Sequence, residues 1–250
     1  SAFQSSELSS IEFAEGGKLS AIGEEAFYYT QLESVDLPAG IKTIGECAFG
    51  SCDQLLWARI PEGVTSLSGD CFIWCDLLET VYLPDSITYI SDRALQDCPN
   101  LKSIRLPANL SRLGSEGFKG DTALAEITID DSNGTYRSID GNLYSKDGTA
   151  LILYAVGKTA DQFTLPDGVK KIEAYAFYQS TKEAYQNKNL TKVDLNEVTE
   201  IGNYAFGYSA GLSDIDLSGV VTLGNGAFAN CGALKTVELD CLESMGDSAF

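Results

Sequence analysis

Leu37-Pro38, Ile60-Pro61, Leu83-Pro84 and Leu106-Pro107 follow one another at intervals of 23 residues. A chain that repeats at a fixed period of this length folds as a stack of coils rather than around one centre, because each unit buries its apolar side only against the units before and after it. An Ala-Phe pair keeps the same register at Ala48-Phe49, relaxes to Cys71-Phe72, Ala94-Leu95 and Gly117-Phe118, and returns at Ala176-Phe177, Ala205-Phe206, Ala227-Phe228 and Ala249-Phe250. The later units, led by Leu190, Leu212 and Leu234, shorten to 22 residues and lose the proline. About ten units fit in residues 1–250, so a single solenoid is expected. Both ends fall within a unit, at Ser1-Ala2-Phe3 and Ala249-Phe250, as in a segment of a longer array.

Within the unit, Leu101 to Asn109 (LKSIRLPAN) fits the L-x-x-L-x-L-x-x-N pattern of a leucine-rich repeat. The expected class is an α/β solenoid, predominantly β: a right-handed horseshoe with one short parallel strand per unit on its concave face. Alternation such as Val35 and Leu37 turns two residues inward, and the following proline, lacking an N–H, ends the pairing. Pairs three apart, Ile41/Ile44 and Ile87/Ile90, suit a threefold turn better than a strand. Phe49, Phe72, Phe118, Phe177, Phe206 and Phe228 read as a stacked aromatic spine. Three residues further on stand Cys52, Cys75, Cys98 and Cys231, or Thr30, Asp121, Ser180 and Ser209, a small and weakly polar set that reads as a buried, inert thiol ladder.

Residues 130–161 break the period. Asp140-Gly141 and Asp147-Gly148, each flanked by apolar residues, are hairpin signals, so a β-insert is expected there. The polar stretch Thr181 to Asn189 reads as a protruding loop.

Composition narrows the function. The chain carries 17 basic and 36 acidic residues, a formal charge of −19, which disfavours nucleic acid and anionic lipid. No apolar run is long enough to span a membrane, and the N-terminus lacks the pattern of a secretory leader. With no histidine at all, Ser-His-Asp and Cys-His catalysis and imidazole zinc sites are unavailable. Asp131, Asn133, Gly134 and Asp140 fall at calcium-loop spacing, but Ile129 stands at the first position and cannot ligate, so a turn is the better reading. Asn133-Gly134-Thr135 and Asn189-Leu190-Thr191 are glycosylation sequons. No enzyme activity, cofactor or metal is expected.

Val81 to Cys98 and Leu32 to Cys52 resemble the BspA-type leucine-rich-repeat unit, L-x-x-I-x-L-P-x-x-[IV]-x-x-I-G-x-x-A-F-x-x-C, and GNLYSKDGTALILYAVGK is similar to a segment such proteins carry. The resemblance implies a bacterial or protozoan surface protein, extracellular or cell-surface, that adheres to a protein partner from host, matrix or another bacterium. It implies no catalytic residues. A monomer is expected. The outward strand positions run from Glu12 through Asp36, Arg59, Tyr82 and Arg105 to Glu238, and Trp57 adjoins Arg59. Trp57, Arg59, Tyr82 and Arg105 thus form the expected ligand-binding patch, since aromatic and arginine side chains dominate interface energetics; its positive charge favours an acidic epitope. A structural spacer is the alternative.

Overall fold

The protein is described by a computed structural model covering residues 2–14 and 16–250; Ser1 lies outside the described residues. Most coils begin with a short strand; in Ser34–Asp36, Trp57–Arg59 and Thr80–Tyr82 the middle residue is buried and the flanks face water. The strands are parallel and in register, with Val35 opposite Ala58 and Ala58 opposite Val81. The Leu37 and Ile60 amides still donate to the next coil, at 3.2 and 3.0 Å, and the prolines then end the ladder. The ribbon continues as Ser103–Arg105 with Glu126–Thr128, and as Gln162–Thr164, Lys192–Asp194 and Asp214–Ile215.

The three-apart apolar pairs do not make a threefold turn. Their second members lie in a second ribbon of two-residue parallel strands, Thr43–Ile44, Ser66–Leu67, Tyr89–Ile90 and Arg112–Leu113 among them. Every coil there has its neighbour's backbone within bonding distance, so pairing overrides local spacing. The structure is therefore a mostly β solenoid with two strands in most coils. Its one helical element among the described residues is the 3₁₀ turn Glu183–Tyr185, so the α part of the expected class is corrected.

Between the second strand and the spine aromatic the chain turns a corner of alternating handedness. Cys47 and Ser51 have φ of 53° and 54°. In this geometry the Cys47, Phe49 and Ser51 amides all point one way and donate to the Gly69, Cys71 and Ile73 carbonyls of the next coil at 3.2, 2.9 and 2.7 Å. The left-handed conformation costs a non-glycine residue about 1–2 kcal/mol, and it persists because the ladder fixes it. The glycine of I-G-x-x-A-F allows the closest approach: a Cβ on Gly45 would stand 2.4 Å from the Glu24 backbone nitrogen.

The spine forms, in two stretches. Phe3, Phe27, Phe49 and Phe72 stack at 5.3, 5.3 and 5.4 Å. Tyr154 then heads a second column through Phe177, Phe206, Phe228 and Phe250, at 4.6, 4.5, 5.0 and 5.4 Å. Leu95 and Phe118 lie between them, and the apolar core divides at the same place. There the chain runs as an antiparallel pair, Tyr136–Ile139 with Asn142–Ser145, around Asp140 and Gly141, both at positive φ as a tight hairpin turn requires. Ala150–Leu153 then rejoins the parallel stack against Lys171–Ile172.

The ladder of small residues has a specific bond. The Cys52, Cys75 and Cys98 thiols donate to the Phe27, Phe49 and Phe72 carbonyls, each at 3.1 Å; Cys231 does so to Phe206 at 3.0 Å and the Ser209 hydroxyl to Phe177 at 3.1 Å. A compact donor serves each of these rungs, which is why Ser and Cys interchange there. All seven cysteines are free.

The stretch Thr181 to Asn189 does not protrude. Asn187 Nδ2 donates to the Val156 and Lys158 carbonyls at 2.7 and 3.0 Å, and the loop reaches back across several coils to Asp76, with Lys182 Nζ at 3.7 Å and the Tyr185 hydroxyl at 3.5 Å. Lys182, Tyr185 and Asn187 thus find partners on other coils, which a projecting loop would forgo.

Candidate functional site

The outward face of the first ribbon carries the expected row in full: Asp36, Arg59, Tyr82, Arg105 and their later counterparts are all exposed. Because a strand alternates, burying Ala58 forces Trp57 and Arg59 outward, and burying Val81 does the same for Thr80 and Tyr82. Register sets Trp57 beside Thr80 and Arg59 beside Tyr82. The result is a concavity of about 370 Å³ walled by Leu56, Trp57, Arg59, Glu79, Thr80 and Tyr82. Tyr82 is 51% exposed and Leu56 45%, so apolar surface faces solvent on both sides of it.

The charges of this patch are already matched. The Arg59 guanidinium lies 5.2 Å from the Tyr82 ring centre and 3.6 Å from Asp36. Arg105 sits outside the concavity, in the separate two-stranded sheet with Glu126–Thr128, and grips Asp85 with two bonds of 2.9 and 3.3 Å. Those bonds hold the Asp85 carboxyl below its usual range. Lys102 pairs with Glu79 at 2.9 Å. The structure thus brings Trp57, Arg59 and Tyr82 together, leaves Arg105 on the rim, and makes the patch aromatic with balanced charge rather than openly basic. Leu56 and Glu79 escaped the sequence reading; the doubled Leu55-Leu56, one apolar residue more than the core position needs, was the available signal for the first.

Other candidate sites resolve as structure. Asn133 is buried: its amide nitrogen donates to the Ala108 and Leu110 carbonyls, both at 2.8 Å, and its oxygen accepts from the Thr135 and Tyr136 amides at 2.8 and 2.7 Å. It is a fully used bracket in the fold, not an open sequon or a calcium ligand. Asp130 is turned onto Ser132, and the Asp131 carbonyl accepts from Lys146. Among the described residues no group of three or more acidic or cysteine side chains is placed to hold a metal ion. No helix among them is long and apolar enough to cross a membrane.

The family model described as the BspA type leucine rich repeat region matches six copies, over residues 20–147 and 181–250. The chain belongs to the BspA-type leucine-rich-repeat family. A search of curated protein sequences finds no match. Among solved structures, this BspA-type chain is similar to a leucine rich cell surface protein from Faecalibacterium prausnitzii, with 29% identity, a TM-score of 0.61, and coverage of 88% of this chain and 76% of that one. It shares its fold with a leucine-rich repeat protein from Eubacterium ventriosum (24% identity, TM-score 0.66, 86% of this chain and 61% of that chain). It does so also with the pneumococcal vaccine antigen PcpA (22% identity, TM-score 0.62, 98% and 62%). The chain thus spans about three-fifths of the latter two. The matched residues include the strands of both ribbons in those stretches and the thiol rungs Cys52, Cys75, Cys98 and Cys231.

Proposed function

We propose that this chain is a protein-binding module of an extracellular or cell-surface protein, of the adhesion type, and that it binds through the outward face of its first ribbon. We take that face to be the concave side of a right-handed horseshoe. Residues 1–250 act as one monomeric solenoid with 130–161 as an insert. Trp57, Arg59 and Tyr82 form the centre of the site and Arg105 its rim. The observation that carries the reading is the concavity of about 370 Å³ between Trp57 and Tyr82, with half-exposed aromatic and leucine side chains on a regular strand ladder. Aromatic anchors in such a depression, ringed by matched polar groups, are what protein interfaces use for most of their energy. The likeness to a leucine rich cell surface protein supports the location. Because the arginines are held by Asp36 and Asp85, recognition rests on apolar and cation–π contact more than on attraction of an acidic epitope.

The test is a binding screen of the recombinant chain against extracellular host and bacterial surface proteins. It is repeated with Trp57→Ala and Tyr82→Ala. Each substitution should weaken a captured partner by at least about fivefold, the equivalent of about 1 kcal/mol. A folded double variant that binds that partner as tightly as the parent would sink the proposal and favour a spacer that displays other domains.

A further inference from the structure

Direct coupling between coils fails at one level of the stack. In the first ribbon Glu126–Thr128 does not pair with Gln162–Thr164; the Ile127 amide donates instead to the Gly141 carbonyl in the hairpin turn, at 2.9 Å. In the second ribbon Arg112–Leu113 does not pair with Ala150–Leu153, and the Leu113 amide donates to the Tyr136 hydroxyl at 3.1 Å. The corner is interrupted as well. From the inward residue of the second strand to the spine aromatic the chain takes five steps before and after the break, Leu113 to Phe118 and Ile172 to Phe177, but three between them, Leu151 to Tyr154. The apolar core stops here too, since Leu143 and Tyr144, adjacent on one hairpin strand, belong to the first and the second core respectively. Among the described residues one backbone hydrogen bond joins the chain before Asp130 directly to the chain after Thr149, from the Gly157 amide to the Leu124 carbonyl at 2.8 Å. At an ordinary junction the corner alone contributes three, as Cys47, Phe49 and Ser51 do.

Side chains bridge this level instead. Lys119, paired with Glu116 at 2.9 Å, sets its ammonium 5.0 and 4.9 Å from the Tyr175 and Tyr178 rings. The loop 181–189 makes the longer bridge. It leaves the stack after Ser180, places Lys182 and Tyr185 against Asp76 beyond the coils of Asp121 and Cys98, and returns through Asn187 to Val156 and Lys158. Asp76 Oδ1 is shielded from water and accepts no hydrogen bond, so Lys182 Nζ, at 3.7 Å, supplies its counter-charge. Burial, and then the Asp76 charge, raise the Asp53 carboxyl above its ordinary range, and Lys182 opposes both. The loop thus brings one cation to two acids on the far side of the break. The contact is partly exposed, with the Lys182 side chain 52% accessible, so it is weak and screened by salt.

We infer that this level is a hinge between two arms of the solenoid, the chain before Asp130 and the chain after Thr149, and that the loop 181–189 is the latch that holds it closed. Parting two coils elsewhere breaks both ribbons and the corner together and exposes a continuous core. Here the parting costs one direct backbone bond and the contacts of the hairpin, and a hinge needs only a few residues to absorb the change. Asn187 fastens the loop to the second arm while Lys182 and Tyr185 fasten it to the first, so the arms stay together as long as both ends hold. Release of the Asp76 end lets the first ribbon change its curvature with both arms folded. Trp57 and Tyr82 lie wholly on the first arm, so the hinge stands or falls independently of their role in binding.

Amide hydrogen exchange of the whole chain, read by mass spectrometry, tests this. Segments at the break, 112–118, 126–129 and 150–157, should exchange at least about tenfold faster than segments within the arms, 49–60 and 206–215. Asp76→Ala should speed the break segments by about a further fivefold and leave the arm segments unchanged, and salt at about 1 M should do the same to the parent. The exchanged pair, Asp76→Lys with Lys182→Asp, should return the break to the parent rate. Should Asp76→Ala fail to fold, Lys182→Met with Tyr185→Phe, which cuts the latch from the loop side, decides the matter in its place. The inference is overturned by any of three results: break segments as protected as the arms, a folded latch variant that exchanges like the parent or faster throughout the chain, or an exchanged pair that stays as fast as Asp76→Ala.

Discussion

Asp121 sits on the rung that cysteine or serine fills in neighbouring coils, and it is fully buried. Its Oδ1 accepts from the Cys98 amide at 2.8 Å, while Oδ2 has no partner. By register the carbonyl this rung should serve is that of Leu95, and a carboxylate cannot donate to it, whereas a protonated carboxyl can. Burial, with Asp97 adding repulsion, pushes the Asp121 carboxyl well above its ordinary range. The folded protein therefore keeps a proton that the unfolded chain releases above about pH 4. Its stabilising effect is complete below that pH and is lost as pH rises toward the folded value, at about 1.4 kcal/mol per pH unit. Asp121→Asn retains the acceptor for Cys98, supplies a permanent donor and does not titrate. The unfolding free energy of the variant relative to the parent should thus grow by about 1.4 kcal/mol for each pH unit above about 4 until the parent loses its proton, and then level off. Urea midpoints of both proteins at several pH values between about 4 and 7 read this out, and the other acidic residues cancel in the difference. A difference that does not change with pH, or a variant weaker than the parent near neutrality, would refute the reasoning.

The thiols offer a second check: burial raises the pKa of Cys75 and Cys98 well above normal and that of Cys231 to about 12, so these should ignore a thiol reagent in the folded protein while exposed Cys241 reacts first. Detection of a Cys52–Cys75 disulfide by mass spectrometry would contradict it. Asn133→Ala removes four hydrogen bonds from a buried site and should cost at least about 3 kcal/mol in urea unfolding, since it strands two carbonyls and two amides. A loss below about 1 kcal/mol would show that water replaces the side chain without penalty.

Much of this fold is decided by spacing alone. The 23-residue interval between Leu-Pro pairs cannot be met by a closed core, and the alternation of Val35 with Asp36 or Val81 with Tyr82 settles which residues face out. The outward positions of Trp57, Arg59, Tyr82 and Arg105 followed directly, because orientation along a strand is a local property. Whatever depends on contact between coils was beyond that reading. The second ribbon exists because neighbouring backbones pair, although Ile41 and Ile44 have no strand period of their own. The thiol rungs are explained by carbonyls some 25 residues away, as with Cys52 and Phe27. Arg59 and Arg105 looked like free charge until their partners Asp36 and Asp85, 23 and 20 residues distant, came into view. The short path from Leu151 to Tyr154 is visible in the sequence, but its meaning is not. Only stacking between two full corners turns two absent residues into a gap, a cavity of about 220 Å³ lined by Leu113, Phe118, Tyr136, Ile152 and Leu153 among others, because the space beside a coil is set by its neighbours.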